Sequence, residues 1–270
     1  MKTSEKLKVK SNKSKRRLLI ILSILLGLII PWSAAFAELT INANHDHISI
    51  DFFYHGSTVS VSGISDPDVD LIIKITSPED HQALRQKGKV GGILWMNVNT
   101  IDFENVPSLY FLASTKKLDD ILSKDELAKD IVGYEALKDH AKLSLVKNEG
   151  EKTRWFNEFV KYKEHSKLYS MASGNITFSK KDGKQNYYTL FQWPYQATPG
   201  DYKVTVYAVK NNKVIGKKEA KVQVEQAGIV KTLAGMARNN AAVYGLLSIL
   251  AALGAGIGVG LIFRKGGGAH

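Results

Sequence analysis

"ANHDHISIDFFYHGSTVSVSG", Ala43 to Gly63, decides how the chain is read, because it is either a metal-binding stretch or the opening of a β-domain. Ile48, Ile50 and Phe52 alternate with His47, Ser49 and Asp51, and the alternation returns at Val59 and Val61. A period of two puts apolar side chains on one face of a strand and polar ones on the other. The spacing predicts two antiparallel strands joined by a turn at Tyr54-His55-Gly56-Ser57. His45 and His47 share the polar face, and imidazoles at i and i+2 on a strand can chelate copper or zinc. A metal site needs three or four ligands, and the other histidines, among them His81, His140 and His165, are scattered. An exposed strand face is the preferred reading, with His45 and His47 the remaining metal candidates and no cofactor expected.

Working outward, the same alternation continues. "DLIIKIT" (Asp70 to Thr76), "GGILWMNVNTIDF" (Gly91 to Phe103) and "SLYFLAS" (Ser108 to Ser114) read as strands. Trp95, in the second of these, is expected in the core. Near the other end, Pro199-Gly200 and Asn211-Asn212 read as turns around two further strands, with Ala220, Val222 and Val224 inward. Many short strands with Gly, Pro and Asn turns predict a mainly β fold, an Ig-like antiparallel β-sandwich.

From about 118 to 170 the apolar spacing turns helical. Ser123 and Glu126 form a capping box. Phe156, Phe159, Val160 and Tyr162 or Lys163 then follow helical spacing. A helical-hairpin insertion is expected, with Trp155, Phe156 and Phe159 packed on the sheet. The functional alternative is a protruding hairpin of helices that docks a partner.

Both ends carry membrane signals. Residues 1–17 hold eight Lys and Arg against Glu5, and "LLIILSILLGLII" (Leu18 to Ile30) follows. Ala35 and Ala37 give an A-x-A pattern, so residues 1–37 read as a signal peptide cleaved after Ala37, with an uncleaved anchor as the alternative. Residues 38–226 are then the exported β-domain and 227–242 a linker. "VYGLLSILAALGAGIGVGLIF", Val243 to Phe263, is 21 residues without a charge. At about 1.5 Å per residue such a helix spans a hydrocarbon core of roughly 30 Å. Residues 264–270 are the expected cytoplasmic tail. The result is a single-pass protein of a bacterial inner membrane with its large domain in the periplasm.

Charge and chemistry narrow the classes further. The net charge is +11, but most of it lies at the two ends, so the middle carries no broad field for nucleic acid. With no cysteine in the chain, disulfides, thiol nucleophiles and cysteine-based zinc sites are excluded. No nucleophile elbow, phosphate loop or recognisable carboxylate pair marks an enzyme. Within the last apolar segment, Ser248, Ala252, Gly256 and Gly260 recur every four residues. Such a stripe lets a second helix approach closely, from another membrane protein or from a second copy of this chain.

The "W-x-N…F-x-N-V-P…Y-x-x-A-S" run, in which Trp95, Asn97, Phe103, Asn105, Val106, Pro107, Phe111 and Ser114 stand, and the P-G-x-Y turn at Pro199, Gly200 and Tyr202 resemble an alphaproteobacterial family of transmembrane proteins. The resemblance covers nearly the whole exported chain. Lys and Asn replace the family's usual Ala and Arg richness. It implies a location and an architecture without an activity, and it implies an integral membrane partner of the sulfite-type anion exporter class. The expected function is that of a non-enzymatic, membrane-anchored periplasmic accessory protein. The alternative is a periplasmic binding module for a metal ion or a small anion.

Overall fold

The computed structural model describes residues 39–44, 47–51, 53–181 and 184–264. The segment expected to be a signal peptide, His45, Phe52 and the tail beyond Arg264 lie outside the described residues. The elements run β1 Asn42–Ala43, β2 His47–Ile50, β3 Ser57–Ser65, β4 Asp70–Thr76, β5 Glu79–Val90, β6 Leu94–Pro107 and β7 Tyr110–Ser114. Helices α1 Leu118–Ile121, α2 Lys124–Lys129 and α3 Tyr134–His140 follow, then β8 Lys142–Leu143 and α4 Glu149–His165. The chain returns to strands with β9 Tyr169–Ser173, β10 Thr177–Lys181, β11 Lys184–Trp193, β12 Gly200–Lys210 and β13 Lys213–Gln226. It ends in α5 Gly228–Asn239 and α6 Ala241–Arg264.

The fold is mainly β, as the alternation predicts. A six-stranded sheet in the order β2-β13-β12-β4-β7-β9 faces a four-stranded sheet in the order β1-β3-β11-β10. Between them lies a core that includes Val59, Val61, Leu71, Ile73, Ile75, Phe111, Trp193, Val204 and Val222. Phe111 and Phe191 stack across this gap at 5.9 Å. Tyr202 packs edge-on against Trp193 at 4.8 Å, and its hydroxyl donates to the Thr198 carbonyl at 2.5 Å. That tie, four residues back along the chain, closes the Pro199-Gly200 corner in the manner of sandwich tyrosine corners.

The central sheet is buried on both faces, which explains why β4 and β7 read as continuous apolar runs. On β4, Leu71, Ile73 and Ile75 enter the first core while Ile72 enters a second. The second core joins Ile72, Tyr110, Leu112 and Tyr207 to Ile101, Phe103, Phe156 and Phe159. It is roofed by the helical insertion and by the root of a small sheet, β5-β6-β8. Pairing within the two main sheets is antiparallel except at the edges of the central one, where β2 runs parallel to β13 and β9 parallel to β7. A parallel neighbour needs a crossover, and the insertion supplies the one from β7 to β9.

The structure corrects three details. β2 and β3 do not form a hairpin: β2 pairs with β13 in one sheet, and β3 with β1 and β11 in the other. Period two fixes which face of a strand is buried, not which sheet it joins, and Ile48 and Val59 meet across the core. The insertion contains four helices and one short strand, because left-handed backbone at Ile131 (φ 50) and Gly133 (φ 92) breaks the long helix that the capping box begins. Ser123 does cap α2, accepting from the Glu126 amide at 3.4 Å. Thirdly, Trp95 is outside both cores, 64% exposed. Within 227–242, the segment read as a linker, Gly228–Asn239 forms α5.

Candidate functional site

Three surfaces follow from this architecture. The first is a cleft of about 530 Å³ beside the central sheet, lined by Lys74, Asp130, Tyr207, Lys217 and Glu219 among others. Lys74 would be the reactive group here, since burial pushes its ammonium down to about 8, against the pull of Asp130. Its Nζ, however, donates to the Asp130 carbonyl and, at 3.3 Å, to the Ile131 carbonyl. It thereby closes the C-terminal end of α2, where carbonyls lack helical partners. Lys217 is committed as well, to Asp130 at 2.8 Å and Glu219 at 3.5 Å. Both ammonium groups also face the Tyr207 ring, at 5.8 and 5.4 Å. The cleft's inner cations therefore serve the packing of α2 on the sheet.

The second surface is the β5–β6 hairpin. Its root is fixed: Ile101, Phe103 and Val106 are buried in the second core, and Phe103 stacks on Phe159 at 4.4 Å. Lys163 reinforces the joint from α4, donating to Gln82 Oε1 at 2.8 Å and to the Ser108 carbonyl at 3.2 Å. That lysine is only 3% exposed and its ammonium is pushed down to about 8 by burial. The far half of the hairpin has no such support. Val90, Ile93, Leu94, Trp95, Met96 and Val98 are all exposed around a turn at Gly91 and Gly92, where φ is 61 and 76. The sequence showed "GGILWM" but read it as buried strand. The missed signal is the turn-forming glycine pair directly before the apolar residues, which puts them at a tip.

The third surface is α6. Ala241–Phe263 is long and apolar enough to cross a membrane, and none of its most apolar window is buried. Ser248, Ala252, Gly256 and Gly260 all lie on it, and nothing stands within 4 Å of a side chain added at Gly256 or Gly260. Ser248 Oγ donates back to the Tyr244 carbonyl at 2.8 Å, as hydroxyls inside apolar helices do.

Of the two metal candidates in the histidine stretch, only His47 is among the described residues. His47 lies on β2, its Nε2 3.2 Å from Glu225 Oε1 on the neighbouring strand. His81 and His140 pair separately with Asp102 and Glu79. Among the described residues, no three His, Asp or Glu side chains come together as metal ligands.

The family model described as "Putative transmembrane protein (Alph_Pro_TM)" matches residues 38–265. No curated protein matches the chain.

Proposed function

The chain belongs to the Alph_Pro_TM family of transmembrane proteins, and from that premise we propose that it is a membrane-anchored accessory protein that works by contact and not by catalysis. The observation that carries this reading is the unburied apolar helix α6, joined through α5 to a domain with two apolar cores. In this reading the domain lies in the periplasm, α6 crosses the inner membrane, and the chain ends in the cytoplasm. Its partner is an integral membrane protein, a transporter of the sulfite-type anion exporter class being the one the sequence resemblance suggests. The Ser248, Ala252, Gly256 and Gly260 stripe is the proposed helix contact, to that protein or to a second copy.

The test is made on the full chain in its native membrane. A photoreactive residue at Ser248 should give one discrete crosslinked product, identified by mass spectrometry as a membrane protein or as the dimer. Absence of any product from Ser248, or an equal yield of products from every face of the helix, would defeat the reading. Reporter fusions after Gln226 and after Arg264 test the orientation, with activity expected only outside and only inside the cytoplasmic membrane respectively.

A further inference from the structure

We infer that the tip of the β5–β6 hairpin enters the interfacial layer of the bilayer, as a second, peripheral membrane contact beside α6. The inference rests on the anchoring read from α6. Its own ground is the distribution of apolar side chains about the tip. Lys89 pairs with Trp95 and Val90 with Leu94, so these two pairs point to opposite faces of the ribbon. Met96, paired with Gly88, joins Val90 and Leu94, and Val98 is on that face too, lying under the hydrogen side of Gly88. Ile93, at the turn, is 88% exposed. Apolar side chains therefore meet at the tip from both faces, Val90, Leu94, Met96 and Val98 from one and Trp95, beside Lys89, from the other, with Ile93 at the end. A ribbon that is apolar at its end and basic one step behind matches the layered edge of a bilayer, apolar within and anionic at its surface.

Charge follows the same plan. From His81 to Ile101 the hairpin contains no acidic residue, and its only formal charges are Arg85, Lys87 and Lys89. They stand behind the tip on the strand that leads to it, at the level where lipid phosphates would lie. Lys89 holds its ammonium 5.5 Å from the Trp95 ring centre, an arrangement in which the indole can sit among headgroups and the lysine reach back to them. Anionic lipid adds attraction for such a basic belt. A second element agrees. On α5, which leads into α6, Ile229 and Leu233 are exposed one turn apart while Lys231 and Arg238 lie elsewhere on the helix, as on helices that lie in an interface.

Because the chain has no cysteine, Ile93→Cys gives a unique position for a nitroxide label in the full-length protein. The labelled chain is reconstituted in vesicles of phosphatidylcholine with phosphatidylglycerol, with Lys213→Cys as the control at the exposed start of β13. The label at 93 should collide more often with oxygen than with a water-soluble nickel chelate, and the order should reverse at 213. Independently, the emission lost on Trp95→Phe should be quenched by brominated lipid. A chain that floats with the vesicles but shows label 93 as nickel-accessible as label 213 overturns this inference alone. A chain that does not float overturns the anchoring as well. Protection of label 93 that persists in detergent without lipid, with a crosslink to another protein, would replace lipid by a protein partner and also overturn it.

Discussion

The Lys163 ammonium and the Gln82 amide oxygen meet at 2.8 Å, joining the C-terminal end of α4's buried face to the root of the projecting hairpin. No carboxylate pairs with this lysine among its hydrogen-bond partners, which are Gln82 and the Ser108 carbonyl. Its charge is held by neutral oxygens, by the faces of Phe159 and Tyr169, 5.4 and 5.7 Å away, and by the more distant pull of Asp80, which burial outweighs.

Stability should therefore rise as pH increases above neutrality. With its folded pKa down at about 8 against an ordinary 10.5, Lys163 binds more protons unfolded than folded between those values. Linkage makes stability increase with pH across that window, and Lys74 acts in the same direction. The opposite sign enters near pH 10, where unfolded tyrosines begin to ionise while Tyr110, Tyr169 and Tyr207 resist because burial raises them. Urea midpoints of the detergent-solubilised chain should climb from pH 8 towards pH 10 and then fall. Lys163→Met should flatten the climb, and an unchanged slope in that variant would remove Lys163 as its source.

Two tryptophans should separate cleanly. Trp193, 2% exposed in the sandwich core, should cost about 3–5 kcal/mol on replacement by alanine. Trp95→Ala should stay within about 0.5 kcal/mol of the unaltered chain, as exposed substitutions do. Thermal melting followed by circular dichroism distinguishes them, and equal losses would mean that the hairpin tip is packed in solution.

His47→Ala removes an ion pair with Glu225 whose two side chains are each 42% exposed. Exposed pairs contribute about 0–1 kcal/mol, so the melting temperature should hardly move. Copper or zinc measured in the purified protein should not depend on His47. A stoichiometric metal lost in this variant would restore the histidine stretch as a site, with His45 as the next ligand to test.

On α6, Gly256→Leu should leave insertion intact but weaken recovery of the helix partner in mild detergent, while Leu250→Ala should do much less. A leucine at Gly256 holds two backbones apart on a face made of small residues. Equal recovery with both variants would leave α6 an anchor alone.

Period-two alternation made most strands legible, and the capping serine Ser123, the corner at Pro199-Gly200 and the apolar length of α6 were each legible from local chemistry. What escaped was set by distant partners. His47–Ile50 looks the same in sequence whether it pairs with the next strand or with residues 223–226. Lys163 occupied an apolar helical position that Tyr162 could equally have filled, and only the oxygens of Gln82 and Ser108 select it. Trp95 was misplaced because a tip strand and a core strand share the same residue preferences.

The pairing of β2 with β13 also constrains the order in which the molecule can be completed. β2 lies near the start of the domain and β13 ends two residues before α5. A chain made from its N-terminus must keep His47–Ile50 without its strand partner until the rest of the β-domain has been made, since Gln223–Gln226 end the last strand. Such a long closure is slow and exposes an unpaired edge meanwhile. The same final stretch immediately precedes the two C-terminal helices, so the domain acquires its last strand only as the anchor itself is being made. Maturation of the sheet and arrival of the anchor are thereby coupled in time, and a chain truncated before residue 213 would be left with its central sheet open at both β2 and β12.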